Sequence, residues 1–204
     1  LSHYRDLHSR HHVDLGAQGT DPDLIPIPPE KGRSWVAAVS INALSIRAVL
    51  GSTFGHLQDL NVPLAARLYI VAWWSALVGA VAAATGAGPA VTVLALWLAA
   101  RATVFHLITT VREMCDHHGL APGGVFSFTR DIKASGLLSV LIHPRNNAYH
   151  LTHHLLPAVP YYRLPEAQRL FAALPEYQSR AHVCHTYFSG RARVVQAWQR
   201  EPSR

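Results

Sequence analysis

Apolar residues change their spacing along this chain, and the changes mark out its elements. From Trp35 to Leu57 the residues Trp35, Val39, Ala43, Ile46, Leu50, Phe54 and Leu57 recur every three or four places, the spacing of one face of a helix. Asn42, Arg47 and several serines interrupt this stretch. It is too polar for a bilayer span and reads as a helix lying in the membrane interface. Leu68–Thr85 is uncharged throughout and close to the ~20 residues that cross a bilayer core. After Gly86–Pro89, which reads as a tight turn, residues 89–110 are again largely apolar, with Arg101, His106 and a few threonines as the polar positions. The two segments, 68–85 and 89–110, predict a transmembrane hairpin. A buried hairpin in a soluble helical protein is the competing reading, and their Gly- and Ala-rich composition favours the membrane.

The remaining stretches are polar. Residues 1–14 read as helix, and residues 15–33, rich in Gly and Pro, as loop. Beyond Pro157 the chain looks water-exposed, with Leu164-Pro165-Glu166 as a helix start. The predicted fold is all-α: a helical membrane protein with a transmembrane hairpin, an interfacial helix and a cytosolic histidine-rich cap. Residues 1–204 are read as a single membrane-bound domain. The chain opens on Leu1 within what looks like a motif-bearing helix, and the expectation is an N-terminally shortened chain.

Charge gives the hairpin an orientation. The turn carries no Lys or Arg, whereas Lys31, Arg33, Arg47, Arg67, Arg101, Arg112, Arg130 and Lys133 flank or end the spans. By the positive-inside rule both ends face the cytoplasm. Half of the residues are hydrophobic and only 15% are charged, below the quarter usual in soluble domains. The net charge of +6 is scattered rather than run together, which argues against a nucleic-acid arm. Cys115 and Cys184 form neither a disulfide framework nor a zinc motif.

The composition is most unusual in its 14 histidines. His8, His11 and His12 form one HxxHH pattern, and His150, His153 and His154 form a second. Residues three and four apart share a helix face, so each pattern aims its imidazoles into one volume. One such pattern is weak evidence, but two on the same predicted membrane face point to metal. The patterns contain no thiolate, which argues against iron–sulfur and structural zinc. Six imidazoles exceed the needs of one four-coordinate ion, so two ions are expected, although imidazole alone does not select the metal. The HExxH of a zinc hydrolase does not occur. His56 and His106, within apolar stretches, read as packing or interfacial residues. His143 reads as a loop residue, and His182 and His185 as part of a polar tail.

Several strings resemble membrane fatty acid desaturases. NNAYHLTHHLLPAVPYYRLPEAQRL is similar to that family's third histidine box, and YRDLHSRHH followed by GTDPDL is similar to its second box and the acidic loop beyond. TVREMCDHHG and then FTRDI resemble the segment before the third box. The resemblance implies an oxidoreductase with a non-heme di-iron centre on the cytosolic side, using O2 to desaturate a fatty acyl chain. The alternative within the same superfamily is a hydroxylase or ketolase acting on a carotenoid or other long lipid.

Carried over by position, the metal ligands would be His8, His11, His12, His117, His150, His153 and His154, with His118 as the neighbour most easily confused with His117. Asn147, Asp116, Asp21 and Asp23 would support them through hydrogen bonds, and Glu113 is a further acid nearby. The family's first histidine box has no counterpart here. No dinucleotide, flavin, heme or cysteine-cluster motif occurs, so electrons would come from a ferredoxin, a cytochrome or a reductase.

Overall fold

A computed structural model describes residues 2–24 and 33–199. The proline-rich part of the predicted loop, residues 25–32, lies outside the described residues. The chain divides into two compact units, Leu1–Asn42 with Thr109–Arg204, and Ala43–Ile108.

The helices in chain order are α1 (Ser2–Val13), α2 (Trp35–Ala43), α3 (Ile46–Gln58), α4 (Leu64–Thr85), α5 (Ala87–Ala100), α6 (His106–His117), α7 (Val125–Phe128), α8 (Leu137–Ile142), α9 (His150–Leu155), α10 (Leu164–Phe171) and α11 (Pro175–Arg180). Two short strands, β1 (Arg130–Ile132) and β2 (His182–Cys184), pair in parallel with Asp131 opposite Val183. The architecture is that of a helical membrane protein, with this strand pair as a small addition.

In the unit 43–108 most large apolar residues of the spans face outward. Leu68 is 58% exposed and Tyr69 70%. A helix that is apolar on every side yet unburied needs lipid rather than water around it. Leu64–Thr85 is long and apolar enough to cross a membrane, and so is Ala87–His117 as one continuous helix. Both spans are longer than periodicity suggests, because the flanking Pro63 and Ala87 are helix-compatible and the predicted four-residue turn shrinks to Gly86 alone. Gly86 has φ of +92°, a left-handed conformation that glycine tolerates best. Trp74 and Trp97 pack across the hairpin with ring centres 4.1 Å apart.

The second span contains a π-helical turn, Arg101–Phe105. The Arg101 guanidinium lies 4.5 Å from the Phe105 ring centre and donates to the Ser52 carbonyl at 2.5 Å. That contact gives an otherwise costly charge a polar partner in an apolar setting. His106 donates to the Ala43 carbonyl at 3.0 Å, a packing role. The interfacial helix predicted over 35–57 is interrupted at Leu44–Ser45, giving α2 and α3. Taken together, α2 and α3 are long and apolar enough for a broken span or a re-entrant loop.

The other unit has its own core, in which Met114 and Cys115 of α6 pack with Ile132, Ile142, Val195 and Trp198. The C-terminal stretch is therefore a structural part of this unit rather than a polar tail. β2 pairs with β1, and Trp198 is fully buried. The Trp198 backbone passes so close to Gly119 that a Cβ there would run into the Ala197 carbonyl. The strand pair positions the third histidine box: Ile132 N–H donates to the Ala148 carbonyl at 2.8 Å, and Asp131 bridges to Tyr149, immediately before α9.

Candidate metal centre

Three helices of the unit containing residues 1–42 and 109–199 supply seven imidazoles. α1 contributes His8, His11 and His12, the C-terminal end of α6 contributes His117, and α9 contributes His150, His153 and His154. They fall into two groups. His8, His12 and His153 form one, and His11, His117, His150 and His154 form the other, with the candidate ligand atoms of each group all within 4.8 Å of one another.

In the first group the Nε2 atoms are 3.0 Å apart for His8 and His153, 3.0 Å for His12 and His153, and 3.2 Å for His8 and His12. In the second, Nε2 of His150 is 2.8 Å from that of His117 and 3.0 Å from that of His154. A neutral imidazole has one N–H, directed along its ring. Three Nε2 atoms turned toward one another therefore cannot satisfy each other by hydrogen bonds. Nitrogens that bind one ion at about 2.0–2.1 Å and at right angles lie about 3.0 Å apart. The donor set thus fits transition-metal ions, one for each group.

Electrostatics keep most of these rings unprotonated. Burial, followed by repulsion from neighbouring imidazoles, lowers the His12 pKa to about 4. Burial does the same for His153, again to about 4. His8, His150 and His154 are lowered as well, chiefly by burial. A ligand imidazole must be neutral, so the protein bears in advance part of the cost of removing protons. His11 differs. Burial is the largest single effect and lowers its pKa, but the hydrogen bond and charge of Asp21, with Asp23 and Asp116 beyond, raise it overall.

The supporting contacts are specific. His11 Nδ1 donates to Asp21 Oδ1 at 2.7 Å. Asp21 also accepts the backbone N–H of Gly16 at 2.7 Å and that of Asp23 at 2.9 Å. These bonds outweigh burial and hold the Asp21 carboxyl below its usual range. His117 Nδ1 donates to the Phe128 carbonyl at 2.9 Å. Each contact fixes a tautomer that leaves Nε2 free to face the centre, the arrangement by which outer groups orient metal-binding histidines. Asp23, Glu113, Asp116 and Asn147 line a cavity of about 400 Å³ beside the imidazoles, which Tyr161 and Leu164 also border.

Two buried residues join the site without having been singled out by the sequence. His143 donates from Nε2 to Asp116 Oδ1 at 3.0 Å, and its Nδ1 lies 3.0 Å from the Tyr187 hydroxyl. It lies in the bend after α8, as a loop residue, but it is buried, and it is the imidazole that holds Asp116. Asp116 Oδ2 is 3.9 Å from His150 Nδ1, beyond hydrogen-bonding distance. The other is Asp131, which is fully buried and accepts from the Thr152 N–H at 3.0 Å, the Thr152 hydroxyl at 2.6 Å and the Tyr177 hydroxyl at 2.6 Å. It thereby fastens the first turn of α9, which carries three of the seven imidazoles. His118 points elsewhere, edge-on to Trp198. His182 lies on β2, outside both groups.

The site is thus that of a helical membrane protein with two clusters of converging imidazoles that could each hold a metal ion. The chain belongs to the fatty acid desaturase family, whose model matches residues 1–186. No curated protein and no solved structure gives a match. Family membership makes the chain a desaturase- or hydroxylase-type oxidoreductase of the membrane.

Proposed function

We propose that this protein is an O2-dependent di-iron desaturase that introduces a double bond into a fatty acyl chain. The observation that carries the reading is the sorting of seven imidazoles into two groups with nitrogen separations suited to metal binding, in a chain of this family. His8, His12 and His153 would hold one iron, and His11, His117, His150 and His154 the other. Bound iron would supply the oxidising power that removal of hydrogen from an unactivated C–H bond demands. In balance, two hydrogens leave adjacent carbons, and with O2, two donor electrons and two protons they end in two waters.

The chain's own groups orient and shield. Asp21 holds the His11 ring in the tautomer that turns Nε2 inward, and the Phe128 carbonyl does so for His117. Asp131 secures α9. Asn147 and Asp23, on the cavity wall, are placed to hydrogen-bond water or a ligand there. An external ferredoxin, cytochrome or reductase delivers the electrons, and the basic flanks of the spans support a histidine face turned to the cytoplasm.

The test is metal analysis of the purified protein together with the lipid profile of a desaturase-deficient host that expresses it. Two irons per chain and new unsaturated acyl chains are expected. One zinc without iron would overturn the metal assignment. Hydroxylated or oxo-lipids in place of alkenes would overturn desaturation in favour of hydroxylation or ketolation.

A further inference from the structure

α8 is built the wrong way round for a helix in water. Leu137, Leu138, Val140 and Leu141 are 75%, 44%, 65% and 49% exposed. Their spacing, one, three and four places from Leu137, puts them on one side of the helix. The inward side is the anchored one: Ile142 is buried in the core, and the Ser139 hydroxyl accepts from the Tyr187 hydroxyl at 3.3 Å. The outward face, opposite this anchored side, consists only of Leu and Val, with no polar side chain among them.

The surroundings indicate what covers that face. Exposed Lys133 precedes the helix and exposed Arg145 follows it. From Ile132 to Pro165 the chain contains no Asp or Glu. Asn146 donates to the Tyr161 carbonyl at 3.2 Å, which ties in the turn carrying Tyr161 and Tyr162, 48% and 64% exposed. An apolar face flanked in sequence by basic residues, in a segment that also exposes two tyrosines, has the composition of a segment seated at the boundary between headgroups and acyl chains. Cationic flanks without compensating acids suit an anionic lipid surface. The same chain has two helices able to cross a bilayer, so such a surface is at hand.

We infer that α8 is a membrane-seated helix, a lipid contact separate from the two spans, by which the histidine-bearing unit rests on the bilayer surface. The inference depends on the membrane and not on the metal reading.

The test attaches an environment-sensitive fluorophore to Leu138→Cys and, separately, to Val140→Cys. The purified protein is reconstituted in phosphatidylcholine–phosphatidylglycerol vesicles, and the signal of the unsubstituted protein, which carries Cys115 and Cys184, is subtracted. Glu176→Cys, on the exposed side of α11, serves as the aqueous reference. Emission from positions 138 and 140 should shift to the blue, fall when lipids bearing a doxyl quencher are included, and ignore iodide, while the reference behaves oppositely. Quenching by iodide but not by doxyl lipid at both positions would place the face in water and overturn the inference. Protection from both quenchers would mean that protein covers it, a second copy or another segment, and would overturn it equally.

Discussion

Replacing Asp131 with alanine tests whether the third histidine box depends on one buried carboxylate. The side chain is inaccessible to solvent, and its removal leaves the Thr152 N–H, the Thr152 hydroxyl and the Tyr177 hydroxyl without their acceptor. Each buried donor left unsatisfied costs about 1–3 kcal/mol. Because the three share one partner their costs do not add in full, and about 3–5 kcal/mol in all is expected. At about 2–4 °C per kcal/mol for a chain of this size, the melting midpoint in detergent should fall by about 6–20 °C. Asp131→Asn should cost less. Burial is the largest effect on this carboxyl and pushes its pKa above the ordinary value despite the bonds from Thr152 and Tyr177, so a neutral side chain that still offers one carbonyl acceptor loses less. Because α9 carries His150, His153 and His154, iron content should fall along with stability in the alanine variant. Melting within about 2 °C of the unsubstituted protein, with iron retained, would refute the anchoring role.

Three further outcomes are expected. His154→Ala should abolish retention of the second iron in metal analysis, whereas His182→Ala should retain it; equal iron in both would refute the grouping. The metal-free protein should lose stability as pH falls from about 6.5 toward 4: His12 and His153 have folded pKa values near 4 against 6.5 unfolded, so the unfolded chain binds more protons across that window, and a melting midpoint unchanged between those pH values would contradict it. A cysteine placed at Ala87 should react with a membrane-impermeant reagent only from the non-cytoplasmic side; reaction from the cytoplasmic side alone would overturn the orientation.

The sequence disclosed the elements whose evidence is local. The spans were visible because lipid-facing helices are apolar on every side and need no knowledge of partners. Their ends are hidden where apolarity stops before the helix does, as in α6, where Arg112, Glu113 and Asp116 interrupt the apolar pattern while the helix runs on to His117. The break at Leu44–Ser45 was illegible for the opposite reason: periodicity persists across it, and neither residue is a strong helix breaker. The C-terminal stretch looked like a polar tail because its core residues, Tyr187, Val194, Val195 and Trp198, are too few and too irregularly spaced to show a period.

For the candidate centre the difference is one of contact order. The seven imidazoles could be nominated because HxxHH on a helix is a local device, and its repetition is a statistical signal. Their supports are pairings between distant segments, and a sequence shows only which acids exist. Asp21 meets His11 ten residues away and could be guessed. Asp116 adjoins His117 in sequence, yet its partner is His143, and no periodicity marks a lone histidine before a proline as the one that folds inward. Asp131 is the extreme case, since its partners Thr152 and Tyr177 are brought to it by the pairing of β1 with β2 and by the bridge to Tyr149. A metal centre of this kind is therefore specified at two levels. The ligands are written as motifs, while the groups that fix their tautomers and hold their helices are written only in the tertiary fold, and damage at that second level should remove iron without touching a single box histidine.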